Sequence, residues 1–425
     1  MTAASAVDRF RRACVAVLFG GLAACQTLHP VNDDRLPEVV ALEDGSPQRA
    51  AMNARVYDAS VGLVTRAFYD REFNGVDFRA EAAARREAAV SEPDEAGFYR
   101  VLNGVLGLLD DRHTLAMPPT LNRSHAQTRL SETRVFGMTL THALEPGSGE
   151  RRALVTDVRQ DGPAAEAGVR RGWRIAAVDG AAYDPSVNYA GALRRFTFAD
   201  ADGEEHLVEM EAQPLRREVG AAERRDDGVL VLRFNLFDRA AQQWMLAQLA
   251  DAARDPPVAV IVDLRGNGGG RIDATAAVLG AFFQRPVRFA HYNLGPVPRV
   301  ARRTRVSGAP WTGRAAVLQS GRSSSAAEAF AAAFQEYGRG PVVGQTSAGA
   351  VVGSVAYQLP DGGQLRVGVS EFRTGSGAVL EKAGVSPDIQ VTPSYEDMAR
   401  GRDVTLEVAI RALLATPDQA ASAAY

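Results

Sequence analysis

The sequence predicts a mixed α/β protein, with α+β character, built from three units, and three patterns carry that prediction. In the second half of the chain, apolar runs at 229–234, 258–264, 315–318 and 342–343 alternate with helical stretches at 242–254 and 326–337. Such alternation is the signature of a sheet covered by helices. Residues 134–213 switch to short alternating strands around one small helix, and residues 52–109 carry apolar side chains at helical spacing, as in Val56, Leu63, Val64 and Phe68. With 425 residues and 46% hydrophobic content, the chain has enough material for two or three separate cores.

Taken in order, the first element is a targeting segment. Arg9, Arg11 and Arg12 precede an apolar run from Ala13 to Ala24 that is too short to span a bilayer, so residues 1–24 read as a signal peptide. The run ends in Leu22-Ala23-Ala24-Cys25, which resembles the lipobox of bacterial lipoproteins. Acylation of Cys25 would anchor the chain to a membrane, each buried methylene contributing about 0.8 kcal/mol. Gln26 gives no inner-membrane retention signal, so the expected place is the cell envelope, facing the periplasm, on the outer membrane rather than the inner. Only Cys14 and Cys25 are present, so a mature chain beginning at an acylated Cys25 keeps no free thiol. Formal net charge is −3 with both signs interleaved, which leaves no basic face for nucleic acid.

A linker at 25–48 leads into a helical unit at 49–128, which closes with Leu109-Asp110-Asp111-Arg112-His113-Thr114 ahead of Pro118-Pro119. The next unit, 129–215, contains Phe136-Gly137-Met138-Thr139, Asp161-Gly162-Pro163-Ala164-Ala165 and Gly172-Trp173-Arg174-Ile175, three ordered blocks that resemble a PDZ domain. That resemblance implies capture of a polypeptide tail as an added strand, at Phe136, Gly137, Met138 and Thr139.

Two motifs in the last unit, 216–425, carry chemistry. Ser323-Ser324-Ser325-Ala326-Ala327-Glu328 lies between a strand and a helix, so Ser325 opens that helix and Glu328 stands where a capping box requires it. The strand at 258–264 runs into Arg265-Gly266-Asn267-Gly268-Gly269-Gly270, whose backbone can approach a carbonyl closely. Amides from Gly268, Gly269 and Ala326 are the candidate oxyanion donors, each of the order of 3 kcal/mol in a transition state. No phosphate-loop lysine follows the glycines.

These blocks, with Glu381-Lys382-Ala383-Gly384-Val385 and the Asp111-Arg112-His113-Thr114 segment, resemble the tail-specific, or C-terminal processing, family of serine peptidases from about residue 52 to residue 410. The resemblance implies that Ser325 is the nucleophile of an endopeptidase acting on polypeptides, with no metal and no cofactor. One position departs from the pattern: Ala350 stands where the Ser/Lys members place their lysine, and Lys382 is the only lysine in the chain. The tricorn-like branch uses serine with histidine and glutamate, which points to His113 as general base and Glu381 as its orienter. An imidazole suits the role because its ordinary pKa lies near 6.5. Arg112 stands where that branch has a serine. The competing class is a non-catalytic peptide- or ligand-binding lipoprotein on the same fold, because the usual lysine is missing.

Overall fold

The computed structural model describes residues 38–415 apart from 131–133, 186, 188, 190, 216–217, 295–296 and 307. The expected signal and Cys25 lie outside the described residues. Among the described residues, no helix is long and apolar enough to cross a membrane.

A six-stranded sheet organises the second half of the chain. Its order is Ala221–Arg224, Val229–Arg233, Ala259–Asp263, Ala315–Gln319, Val342–Gly344 and Ile389–Gln390, parallel throughout except for the first pair. Alternate side chains divide between two faces. Leu232, Val260, Val262 and Val317 pack under the helices Arg239–Arg254, Ile272–Gly280 and Ala326–Glu336. Val231, Ile261, Ala316 and Leu318 pack against Leu406, Ala409 and Ile410 of the helix Val404–Ala415. Burial on both faces is why these strands read as unbroken apolar runs. Phe330 and Phe334, fully buried on the Ala326–Glu336 helix, each contribute roughly 1.5–3 kcal/mol by burial.

A second, antiparallel sheet joins distant parts of the chain. The strand Gln364–Thr374 pairs with Leu115–Met117, Gly353–Gln358 and Arg288–Leu294, and the last pairs onward with Val297–Arg303. The helices Pro47–Ala67, Phe78–Val90 and Glu95–Leu106 begin at Ser46, Asp77 and Asp94, whose side chains accept backbone N–H groups. Their core takes in Tyr357, Leu359, Leu365 and Val367. The N-terminal helices and the C-terminal strands therefore share one core across the 49–128 and 216–425 ranges expected from sequence.

Between them stands a β-rich unit with its own core around Val155, Ile175, Phe196 and Phe198. Its antiparallel order is Met138–Leu144, Arg151–Val158, Arg174–Val178, Leu193–Ala199, Glu205–Glu211, which leaves Met138–Leu144 at an edge. The unit docks closely on the C-terminal segment. A Cβ at Gly172 would come within 2.5 Å of the Ala399 carbonyl oxygen, so only glycine fits there. Arg171 pairs with Asp403 at 3.4 Å, Arg233 with Asp157 at 3.1 Å, and the Tyr395 hydroxyl lies 3.2 Å from Glu145.

Candidate active site

The site forms where the parallel strands end. After Ala315–Gln319 the chain makes a tight turn pinned by its own serines. Ser320 Oγ donates to the Arg265 carbonyl at 2.6 Å, Ser323 Oγ to Leu264 at 2.8 Å, and Ser324 N–H to Asn267 at 3.1 Å. Ser325 follows with φ 56° and ψ −115°. A positive φ at a residue with a side chain costs of the order of 1–3 kcal/mol and persists only where its surroundings enforce it. Capping alone does not require it, because a capping serine ordinarily sits in the extended region.

Gly269 enforces part of that geometry. A Cβ built on it would lie 2.6 Å from Ser325 Cβ and 3.0 Å from Ala326 N, so the glycine loop touches the serine with no room for a side chain. Two of the three amides expected as oxyanion donors already have acceptors. Gly269 N–H is already given to Asn267 Oδ1 at 2.9 Å, and Gly268 N–H to the Asn235 carbonyl at 3.2 Å. Buried Asn267, whose Nδ2 donates to Phe234, holds the loop in this form. Among the described residues, the amides of Gly270 and Ala326 donate to no acceptor. Arg265 braces the loop from behind with Asp263 and Asp403, both at 2.7 Å. Burial pushes Asp403 up, but the Arg265 hydrogen bond and charge outweigh it and hold the carboxyl at about 2.

His113 arrives from the N-terminal unit because the strand Leu115–Met117, which follows it directly, pairs with Gln364–Thr374. Thr114 fixes the junction: its hydroxyl accepts from Gly368 N–H at 3.0 Å and donates to Asp111 at 2.6 Å. His113 is mostly buried, and its Nδ1 lies 3.2 Å from Asp111 Oδ1, which also accepts the His113 N–H at 3.0 Å. The Asp111 carboxyl is almost completely buried, which pushes it up, yet these bonds from His113 and Thr114 hold it below the usual carboxylate range. Asp111, His113 and Glu381 present ligand-type atoms within 4.8 Å of one another. Two carboxylates therefore lie near the imidazole, and the one hydrogen-bonded to it is Asp111, which the sequence motifs do not single out. Asp200, Glu204 and His206 form a second such group, where His206 pairs with Asp200 at 3.0 Å and stacks on Trp173.

Glu381 has a further task. Its Oε2 accepts the N–H groups of Val351 and Val352 at 2.8 and 3.0 Å. Just before them, Gly349 and Ala350 give their N–H groups to Glu328, which also takes Ser325 N–H at 2.8 Å and the Ser347 hydroxyl at 2.6 Å. Two carboxylates thus grip four successive amides, and this bridge links the serine to the histidine cluster. Burial pushes Glu328 above the usual carboxylate range in spite of its four donors. Ala350 sits on the bridge. Lys382 gives its backbone N–H to the Gly349 carbonyl at 2.7 Å, while its ammonium is exposed and paired with Asp110.

Phe136 and Gly137 form the entry to the edge strand. Gly137 has φ 77°, its carbonyl accepts from Arg159, and the Phe136 carbonyl accepts from Ala164 beside the short helix Pro163–Glu166. Gly137, Met138 and Thr139 line a cavity of about 1340 Å³ that runs between the β-rich unit and the catalytic sheet, where Gly266, Asn235 and Arg322 form the far wall.

Residues 228–391 match the family described as Peptidase family S41. The chain is similar to a tricorn protease homologue (homolog 2) of Streptomyces coelicolor, 26% identical over 401 residues that cover 86% of this chain and 32% of that one. It is also similar to the chloroplastic C-terminal processing peptidase of Tetradesmus obliquus, 27% identical over 78% of this chain and 75% of that one. It spans about a third of the first relative's length and three quarters of the second's. Among solved structures it shares the fold of a photosystem II D1 C-terminal processing protease (TM-score 0.53, 22% identity, 83% of this chain and 98% of that one). Mature CPAF complexed with lactacystin has the same fold (TM-score 0.56, 12% identity, 87% and 99%).

Proposed function

Because the chain belongs to the tail-specific, or C-terminal processing, protease family of serine peptidases, we propose that it cleaves polypeptides by acyl transfer through Ser325. The observation that carries this reading is the backbone of Ser325, held at positive φ against Gly269 and tied to Glu328. Strain of this kind has no use in a cap and a clear use in a nucleophile that must project toward substrate.

In the proposed reaction, Ser325 Oγ attacks the scissile carbonyl carbon and its proton passes to His113 Nε2. Asp111, bonded at Nδ1, keeps the other nitrogen free to accept and stabilises the imidazolium. Negative charge develops on the former carbonyl oxygen beside the amides of Ala326 and Gly270, which donate to no acceptor among the described residues. The intermediate collapses, the C–N bond breaks, and the leaving amine takes the proton from His113. Water, deprotonated by the same imidazole, then releases the acyl group and restores Ser325. Glu381 positions the 351–352 backbone and adds a second negative charge near the imidazolium.

The finer parts of the reading concern place and substrate. The edge strand Met138–Leu144, with Phe136 and Gly137 at its entry, suits capture of a polypeptide tail by strand addition, as a PDZ-like unit would achieve it. The lipobox-like ending at Cys25 supports a lipid-anchored protein facing the periplasm. Ser325→Ala tests the chemistry: turnover of an unfolded protein substrate and labelling by a fluorophosphonate probe should both vanish while the fold persists. Retained labelling would show that another serine reacts. Radiolabelled palmitate incorporated by the wild type and absent from Cys25→Ser tests the anchor.

A further inference from the structure

Among the described residues, the wall of the large cavity carries one arginine without an ion pair. Arg171, Arg233 and Arg265 are engaged with Asp403, Asp157 and Asp263, and Arg402 with Asp397 and Glu407. Arg159 pairs with Asp161, and Glu218, the other charge on that side, lies within its field. Arg322 lines the same cavity and, among the described residues, has no ion pair; its bond is made by its backbone N–H, to Ser320 Oγ at 3.1 Å. It is exposed at the apex of the turn that Ser320 and Ser323 pin to the glycine loop, three residues before Ser325. A pinned backbone thus presents an exposed guanidinium three positions before the nucleophile, on the wall of a concave space where water screens less than on open surface.

We infer that Arg322 is a specificity residue that binds an acidic side chain of the substrate polypeptide as it lies across the cavity. A guanidinium offers a planar fork of donors that matches a carboxylate, and the surrounding cations are spent on protein partners. The inference rests on the peptidase reading for the identity of the ligand, yet the contact itself is a binding property and does not require turnover.

The test uses full-length Ser325→Ala protein, so that nothing is cut, and fluorescence anisotropy with labelled decapeptide amides of alanine and serine. One glutamate is scanned through the positions, and a matched series carries glutamine. The best glutamate peptide should bind about tenfold tighter than its glutamine partner, a preference that weakens with salt. Arg322→Ala should erase it, and Arg322→Glu should transfer it to a lysine series. Equal binding of the two series, no binding of either, or a glutamate preference that survives Arg322→Ala would overturn the inference. So would a preference that appears only when the peptides carry a free C-terminal carboxylate, since the contact would then be with the chain end. Fluorophosphonate labelling of the wild type is scored separately: its failure would sink the peptidase reading and leave the Arg322 result standing or falling by itself.

Discussion

Two serines in this chain open helices with the same sequence grammar and behave differently. Ser394-Tyr395-Glu396-Asp397 forms a relaxed cap: φ is −75° and ψ 162°, and the Ser394 hydroxyl accepts Asp397 N–H at 3.0 Å and donates to Asp397 Oδ2 at 2.6 Å. Ser325-Ala326-Ala327-Glu328 has the same spacing with φ at 56°, a glycine pressed against its side chain, and a fully buried Glu328 that also serves Ser347, Gly349 and Ala350. A capping motif therefore does not distinguish structure from function. The backbone angle is what separates the two serines, because a cap gains nothing from strain.

The sharpest way to break this contrast is to remove both hydroxyls in turn. Ser325→Ala should lower kcat by about 10³-fold or more with little change in the far-ultraviolet circular dichroism spectrum. Ser394→Ala should leave kcat within about twofold and lower stability by about 1 kcal/mol, read from the urea midpoint. Comparable kinetic losses in both would erase the distinction.

Next in size is Asp111→Asn, which keeps the shape of the side chain but disturbs the tautomer of His113. A fall in kcat of about 10²–10⁴-fold is expected across neutral pH, with KM little changed. A loss confined to KM would mean that Asp111 only shapes the loop. The sign of its pH dependence follows from its depressed pKa. The stability it contributes is fully present above the ordinary carboxylate value of about 3.9 and is lost as pH falls through the lower folded value. Acid unfolding of Asp111→Asn should accordingly lack that part of the slope.

Glu328→Gln probes the clamp. The amide places an NH₂ group among four donors, so at least one donor loses its acceptor, and a cost of about 1–3 kcal/mol is expected. Because burial raises the Glu328 pKa, the wild type is favoured by the protonated form below the ordinary glutamate value and loses that advantage as pH rises through the folded value. The stability gap between wild type and Glu328→Gln should therefore depend on pH on the alkaline side of the usual carboxylate range. A flat gap would show that Glu328 ionises as freely as in the unfolded chain.

What the sequence made legible tracks how local the signal was. The catalytic sheet was readable because both its faces are buried and its strands are continuous apolar runs. Ser325 and Gly269 were readable as motifs, and the structure brings them into contact. The strands Arg288–Leu294, Val297–Arg303 and Gly353–Gln358 are not legible in the sequence, since arginines and Pro298 break the apolar pattern of the first two, and Gly353, Ser354 and Gln358 that of the third. The choice of Gly270 over Gly268 and Gly269 as the open amide depends on Asn267 turning back on its own loop, a bond between near neighbours that spacing does not reveal. Asp111 is not singled out by the motifs, because the tricorn-like pattern pairs the histidine with a glutamate and so points to the distant Glu381. An aspartate two residues before a candidate base is a local signal, since its side chain readily accepts the N–H two positions on.

The smallest expected effect is also the one that tests the strain itself. Glycine adopts positive φ without steric penalty, so Ser325→Gly should release roughly 1–3 kcal/mol of strain while losing about 0.5–1 kcal/mol to the greater freedom of the unfolded chain and a few tenths from the cap. A net gain of about 0.5–1.5 kcal/mol is expected in an inactive protein. At Ser394, where φ is already −75°, the same substitution has no strain to release and should only destabilise. The two glycine variants should thus move the urea midpoint in opposite directions. Movement in the same direction would mean that the angle at Ser325 is relaxed in solution, and no strain would then set this serine apart from an ordinary cap.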